Sequence, residues 1–309
     1  MEQTAWRFSD DRGQMSGGGG RGRGGAAAAP PSRVVAYIQA GATLEDLGIR
    51  PLAVFGSFHD GPEPDPAKSG ALPLDEVGYL GAGADLDVEA LLAPGPDLVV
   101  AVSYGGGQVY GLDPETAKHL EERVPVVVLD VGQAHTPARI RGRFADLARS
   151  LGAPDEDAAA LLAAEERLRA AAARTPRPRV LALSPASADE VHLARPQAWP
   201  ELRALAAYGV DLIEPGEGAG ANWFTTGWPA AAELRPDIAL VDVRSNAAPL
   251  GELRSDAAWR ALEARARILA WNPESPCSAR AHAAWIGQVA DALEESVEAR
   301  GKSQGDSPT

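Results

Sequence analysis

The chain has 309 residues, 45% of them hydrophobic, which is enough for two ordinary domains with a sizeable core. A formal net charge of −14 excludes the basic stripe that displaces counterions from nucleic-acid phosphates. The single cysteine, Cys277, excludes an intrachain disulfide and a cysteine-rich metal cage. No apolar run approaches the roughly 20 residues of a membrane span.

Residues 1–13 contain WRFSDDRG and read as an edge segment, one short strand and a turn. They hold acidic residues and no apolar stretch, so no export signal is read there and the expected location is the cytoplasm; a start further upstream would make it extracytoplasmic. Residues 14–32 are Gly/Ala-rich and read as a flexible linker. An N-terminal lobe follows over 33–135. Its apolar strands at 33–37, 51–56, 98–102 and 124–131 alternate with helical stretches, one ending at Gly48 and one over 86–92. Continuous β-branched runs between helices predict parallel sheet covered on both faces. Residues 136–175 read as connecting helices. The second of these, 154–174, starts with proline and acidic residues, and its length of roughly 30 Å suits a rigid backbone helix.

The C-terminal lobe, 176–276, repeats the first. Strand 180–183 matches the opening strand, and Gly209 to Ile213 matches Gly48 to Leu52. The segment from Glu233 to Val241 echoes Glu89 to Val100, each with Pro-Asp before an apolar strand, and 267–271 stands where 124–131 stood. A closing helix over 277–297 and a disordered tail over 298–309 end the chain. The predicted fold class is α/β: two Rossmann-like lobes with parallel sheets, joined by the backbone helix, with a ligand cleft between the lobes.

In this order, WRFSDDRG before PSRVVAY, LGIRPLAVFG, VGYLG with LDVEALL and PDLVVA, VPVVVLD, and LRPDIALVD resemble the helical-backbone class of ABC-transporter substrate-binding proteins. That class binds ferric siderophores, haem and cobalamin. The resemblance spans residues 6–13 and 33–296. It implies a rigid two-lobed body whose cleft loops hold the ligand with aromatic side chains and arginines. Carried over by position, the first lobe offers Gln39, Ser57, Phe58, His59, Tyr104 and Tyr110. The second offers Arg195, Trp199, Trp223, Phe224, Arg244, Trp271 and Asn272. Such proteins dock on a permease through one surface glutamate per lobe. Glu89 fits the first place, whereas Pro229 occupies the second and Glu233 lies a helical turn away, so permease coupling is not expected.

The residues themselves favour binding over chemistry. Trp199, Trp223, Phe224 and Trp228 lie beside Gly, Asn and Thr rather than in periodic apolar stretches, and flat rings suit a conjugated or chelate ligand. Packing is the plainer role for Trp6, Trp259 and Trp285. The glycine-rich loop 104–110 lacks the Lys-Ser/Thr of a phosphate cradle and reads as a mobile loop offering its two tyrosines. Arg195 and Arg244 suit an anionic ligand, with surface salt bridges as the alternative. The five histidines lack metal-ligand spacing, His59 being the best placed of them, with His192 next. No GxSxG, Cys–His couple or carboxylate pair marks catalysis. The expected function is therefore a cytoplasmic ligand-binding protein similar to iron-chelate binders. Its partner is a small molecule, and it needs no cofactor, any iron arriving with the ligand. An exported ABC component, an enzyme that recruited the cleft, and a transition-metal carrier are the alternatives.

Overall fold

The structure, a computed structural model, describes residues 30–83, 86–105 and 108–305. The edge segment expected at 1–13, the linker up to residue 29, Gly106, Gly107 and the last four residues of the tail lie outside the described residues. The chain forms two compact units. The first runs to Glu156 and takes in Glu274–Ser278; the second holds Asp157–Pro273 and the chain from Ala279 onward.

In the first unit, β1 (Val34–Tyr37), α1 (Ile38–Asp46), β2 (Ala53–Phe55), α2 (Pro66–Ser69) and β3 (Gly78–Tyr79) come first. Then follow α3 (Val88–Leu92), β4 (Leu98–Ser103), α4 (Pro114–Arg123), β5 (Val126–Asp130) and α5 (Pro137–Ser150). The strands make an all-parallel sheet in the order β3-β2-β1-β4-β5. Val34 to Tyr37 and Leu98 to Ser103 are buried throughout, as continuous apolar strands covered on both faces must be. Three of the helices start on an Asp-Pro or Thr-Pro step, which supplies an acceptor for the free N–H groups and a preset φ. Asp65 Oδ1 accepts from Ala67 N at 2.8 Å, Asp113 Oδ1 from Thr116 N at 3.0 Å, and Thr136 Oγ1 from Arg139 N at 3.3 Å. α1 has no side-chain cap and leaves β1 directly.

The second unit comprises α6 (Ala159–Ala172), β6 (Arg179–Pro185), β7 (Glu190–Ala194), α7 (Pro200–Ala207), β8 (Asp211–Leu212) and β9 (Trp223–Gly227). It continues through α8 (Trp228–Glu233), β10 (Ile238–Asp242), α9 (Ala257–Arg265), β11 (Arg267–Trp271) and α10 (Ala279–Gly305). Its parallel part runs β8-β6-β10-β11, the same order as β2-β1-β4-β5. Beyond the halfway point of β6, antiparallel β7 replaces β8 as its neighbour, and β9 pairs antiparallel with β7. These two strands depart from the expectation of purely parallel sheet. Their segments are only five residues each and interrupted by His192, Thr225 and Thr226, so they read as loop.

The internal repeat has a physical basis at the strand starts. In the first unit Asp97 accepts from Arg33 N at 2.8 Å, and Arg33 Nε returns to Gly95 O at 2.7 Å. In the second, Asp237 accepts from Arg179 N at 2.7 Å, and Arg179 Nη1 returns to Leu234 O at 2.7 Å. The Pro-Asp step before each strand is thus one half of an Arg–Asp clamp that sets β1 beside β4 and β6 beside β10.

Three expected boundaries are corrected. The helix expected at 154–174 begins only at Ala159, where Asp157 Oδ1 accepts from Ala159 N at 2.9 Å, and spans 14 residues, about 21 Å. It packs along α10 inside the second unit, while α5 buries Ile140, Phe144, Leu147 and Ala148 in the first. α10 continues through residues 298–305 of the expected tail, although that stretch holds Gly301 and Gly305. Residues 274–276, expected in the C-terminal lobe, belong to the first unit. Gln39 Nε2 holds Ser275 O at 3.0 Å, and Thr43 Oγ1 accepts from Cys277 N at 2.9 Å. Ser278 Oγ bonds Asp46 Oδ2 beside them.

Candidate functional site

In the first sheet β2 and β3 lie on one side of β1 while β4 and β5 lie on the other, so the strand order reverses between β1 and β4. A crevice opens at the carboxyl ends of strands at such a point. Tyr37 ends β1 there. Its ring meets Tyr110 edge-on at 5.6 Å between centroids, and Tyr110 meets Tyr104, just past β4, at 4.7 Å. Gly111 turns this loop back over β2 at φ +83°; a Cβ there would lie 3.0 Å from Gly56 O, and an L side chain would be strained besides. Phe58, Tyr104, Gln108, Tyr110, Lys118 and Glu121 line a cavity of about 710 Å³. Phe58 is 53% exposed, a large apolar side chain held out over this cavity.

Beneath the tyrosines lies a buried charge network. Lys68 Nζ is 2.7 Å from Asp60 Oδ1 and 3.2 Å from Glu274 Oε2, all three side chains being at most 3% exposed. Asp60 Oδ2 also accepts from Ser57 N at 2.7 Å and Ser57 Oγ at 3.0 Å, which folds the loop that carries Phe58. Tyr37 Oη donates to Glu274. Burial, and then the charge of Glu274, push the Tyr37 phenol well above its ordinary pKa, so it stays a donor. Gln39 and Ser57 are therefore buried supports of this floor, bonded to Ser275 and Asp60. His59 is exposed on the same loop.

The equivalent crevice of the second unit lies between β6 and β10. Ser184 Oγ donates to Asp242 Oδ2 at 2.9 Å, and Arg244 grips the same buried carboxylate through Nη2 at 2.7 Å and Nε at 3.0 Å. Trp271 ends β11 and is 1% exposed. Trp199 and Trp223 pack on it at 5.5 and 5.8 Å and on each other at 4.9 Å. Trp271 Nε1 donates to Glu201 Oε1 at 3.3 Å, and Trp199 Nε1 to Asn222 O at 3.2 Å. Burial pushes the Glu201 carboxyl up to about 7, against the weaker pull of its hydrogen bonds and of Arg244 and Arg203.

Beside this cluster His192, Asn222, Trp223, Phe224 and Thr225 line a second cavity, of about 650 Å³. His192 Nδ1 is 2.9 Å from Thr225 Oγ1, and its ring lies 6.2 Å from that of Trp223. The far wall is a glycine loop wrapped around Arg195. The guanidinium donates to Gly216 O at 3.3 Å, Gly218 O at 3.0 Å and Gly220 O at 3.0 Å, and lies over Phe224 at 5.9 Å. Glycine is required in that loop: at Gly220, φ +98°, a Cβ would fall 2.2 Å from Trp223 O.

The residues expected at the site thus divide. Phe58, Tyr104 and Tyr110 share one cavity, Trp223 and Phe224 share the other, and Trp199 and Trp271 back the latter. Asn272 follows β11 and is half-buried. Glu89 is exposed on α3 and ion-paired with Arg123 of α4, and Pro229 opens α8 with Glu233 exposed at its end. Trp228 and Trp259 pack together at 5.2 Å in the core. Sequence reasoning missed Glu201, Lys118, Glu121 and the Asp60–Lys68–Glu274 network. Of these only Glu201 carried a signal, a carboxylate in a Pro-initiated first turn. Among the described residues no three metal-ligating side chains converge.

Two α/β units of matching topology make up the fold found in solved siderophore- and heme-binding proteins. The chain is similar to DesE, a ferric-siderophore receptor protein from Streptomyces coelicolor, at 27% identity and a TM-score of 0.78, covering 94% of this chain and 98% of that one. It is also similar to FhuD from Vibrio cholerae bound to Fe3+–Desferal, with 17% identity, a TM-score of 0.59 and coverages of 86% and 98%. The periplasmic heme-binding protein RhuT from Roseiflexus sp. RS-1 matches at 18% identity, a TM-score of 0.58 and coverages of 86% and 98%. No protein-family model and no curated protein matches the sequence.

Proposed function

We propose that the protein is a binding protein for a ferric chelate, held without covalent chemistry by aromatic contacts at the strand carboxyl ends. The carrying observation is the placement of aromatic rings at the strand ends of each unit: Phe58, Tyr104 and Tyr110 line the cavity of the first, and Trp223 and Phe224 line that of the second, with Trp199 and buried Trp271 packed behind them. Rings of this kind offer large contact area at little entropic cost. The likeness to a ferric-siderophore receptor over nearly the whole chain supports the same reading. Native mass spectrometry of protein purified from its own host tests it. A retained iron-containing small molecule is expected, and a retained molecule that binds no iron would refute the proposal.

Pro229, at the place where the resemblance puts a docking carboxylate, favours a role without permease coupling, and residence in the cytoplasm belongs to the same reading. Cell fractionation tests the location, and co-purification of a membrane permease with the tagged protein would overturn the uncoupled role.

A further inference from the structure

The charges lining each cavity constrain what a ligand held there can carry. An anionic chelate needs cations whose N–H groups are available to it. Arg195 and Arg244 are the arginines that the sequence offers for this purpose, and the fold engages both. Arg195 turns three of its five N–H groups onto backbone carbonyls, and Arg244 is matched by the buried carboxylate of Asp242. The described lining of the second unit's cavity contains no lysine or arginine.

In the first unit Lys118 lines the cavity together with Asp113 and Glu121, one ammonium against two carboxylates. Bonds from Thr116 and Glu115 hold the Asp113 carboxyl below its ordinary pKa, so that charge persists into acid. The chain as a whole carries −14, a field that repels anions approaching from a distance. The exposed faces of Tyr104 and Trp223 carry the negative side of the ring quadrupole, which attracts cations.

From this geometry, and resting on the ferric-chelate reading above, we infer that the ligand carries no net negative charge. The site selects a neutral or cationic hydroxamate-type complex over a polyanionic catecholate-type one.

Titration calorimetry of the full chain at pH 8 tests this with two probes, the monocationic ferric Desferal complex and a trianionic ferric tris-catecholate. Preference for the hydroxamate complex on the order of 100-fold is expected, shrinking as salt is raised. Equal or tighter binding of the tris-catecholate would overturn the inference while leaving the ferric-chelate reading intact. Binding of neither would instead overturn that reading, and the inference with it. In Glu121→Lys the charge at the rim of the first cavity is reversed, so the preference should fall several-fold; an unchanged ratio counts against the charge argument.

Discussion

Replacing Lys68 by methionine keeps an unbranched apolar stem, one atom shorter, and removes the ammonium with its charge and N–H donors. The ammonium is fully buried between Asp60 and Glu274, so Lys68→Met strands two carboxylates in the interior of the first unit. Removing one member of a buried ion pair typically costs roughly 3–5 kcal/mol, against a total stability of about 5–15 kcal/mol. At about 2–4 °C per kcal/mol for a unit of this size, the midpoint should fall by roughly 6–20 °C. Tryptophan emission is a poor assay here, because every described tryptophan lies in the second unit. Hydrogen exchange of peptides covering Val34–Tyr37 and Leu98–Ser103 reads the first unit directly. The triple variant Asp60→Asn/Lys68→Met/Glu274→Gln keeps acceptors for Ser57 and Tyr37 without stranded charge, and should recover at least about 2 kcal/mol. A loss below about 1 kcal/mol in Lys68→Met, or no recovery in the triple variant, would refute the role of Lys68 as a buried counter-ion.

Trp223→Ala should weaken binding of the ferric Desferal complex by more than about 1 kcal/mol, and an unchanged dissociation constant would remove Trp223 from the site. Arg195→Lys loses the planar fork that reaches three carbonyls. The loop over 216–222 should lose about 1–3 kcal/mol of local stability, seen as faster exchange or proteolytic nicking there. Because the folded pKa of Glu201 is raised from 4.5 to about 7, the folded protein holds a proton that the unfolded chain releases. The resulting stability is complete below pH 4.5, is lost as pH rises to about 7, and stays flat above. Glu201→Gln should flatten that slope in denaturation midpoints measured between pH 5 and 8; a slope that survives the substitution assigns the titration to another group.

Much of the parallel core was legible in the sequence, because burial on both faces leaves unbroken apolar runs such as Leu98 to Val102 and Ile238 to Val241. The repeated Pro-Asp step was visible too, though its partner arginines, Arg33 and Arg179, were not, since a clamp between residues some 60 positions apart leaves no local pattern. Strands β7 and β9 escaped for the opposite reason. β9 is an edge strand paired only with β7, and β7, though flanked by β9 and the end of β6, has only five residues with His192 among them, too few to leave an unbroken apolar run. Aromatic residues outside periodic stretches pointed to Tyr104, which lines one described cavity, Trp223, which lines the other, and Trp199, which packs on Trp223. The partners of Arg195 were not legible, because a guanidinium that organises a glycine loop looks the same in sequence as one that awaits an anion.

The excursion of Glu274–Ser278 into the first unit has a consequence for how such a chain can be recombined. A crossover placed at residue 156 that exchanged everything downstream would import a foreign partner for Tyr37 and Lys68. The five-residue segment must therefore be inherited with the half of the gene that lies far upstream of it. Chimeras that retain it should remain expressible, whereas those that exchange it leave Lys68 with Asp60 alone and Tyr37 without Glu274 unless the incoming segment supplies the same carboxylate.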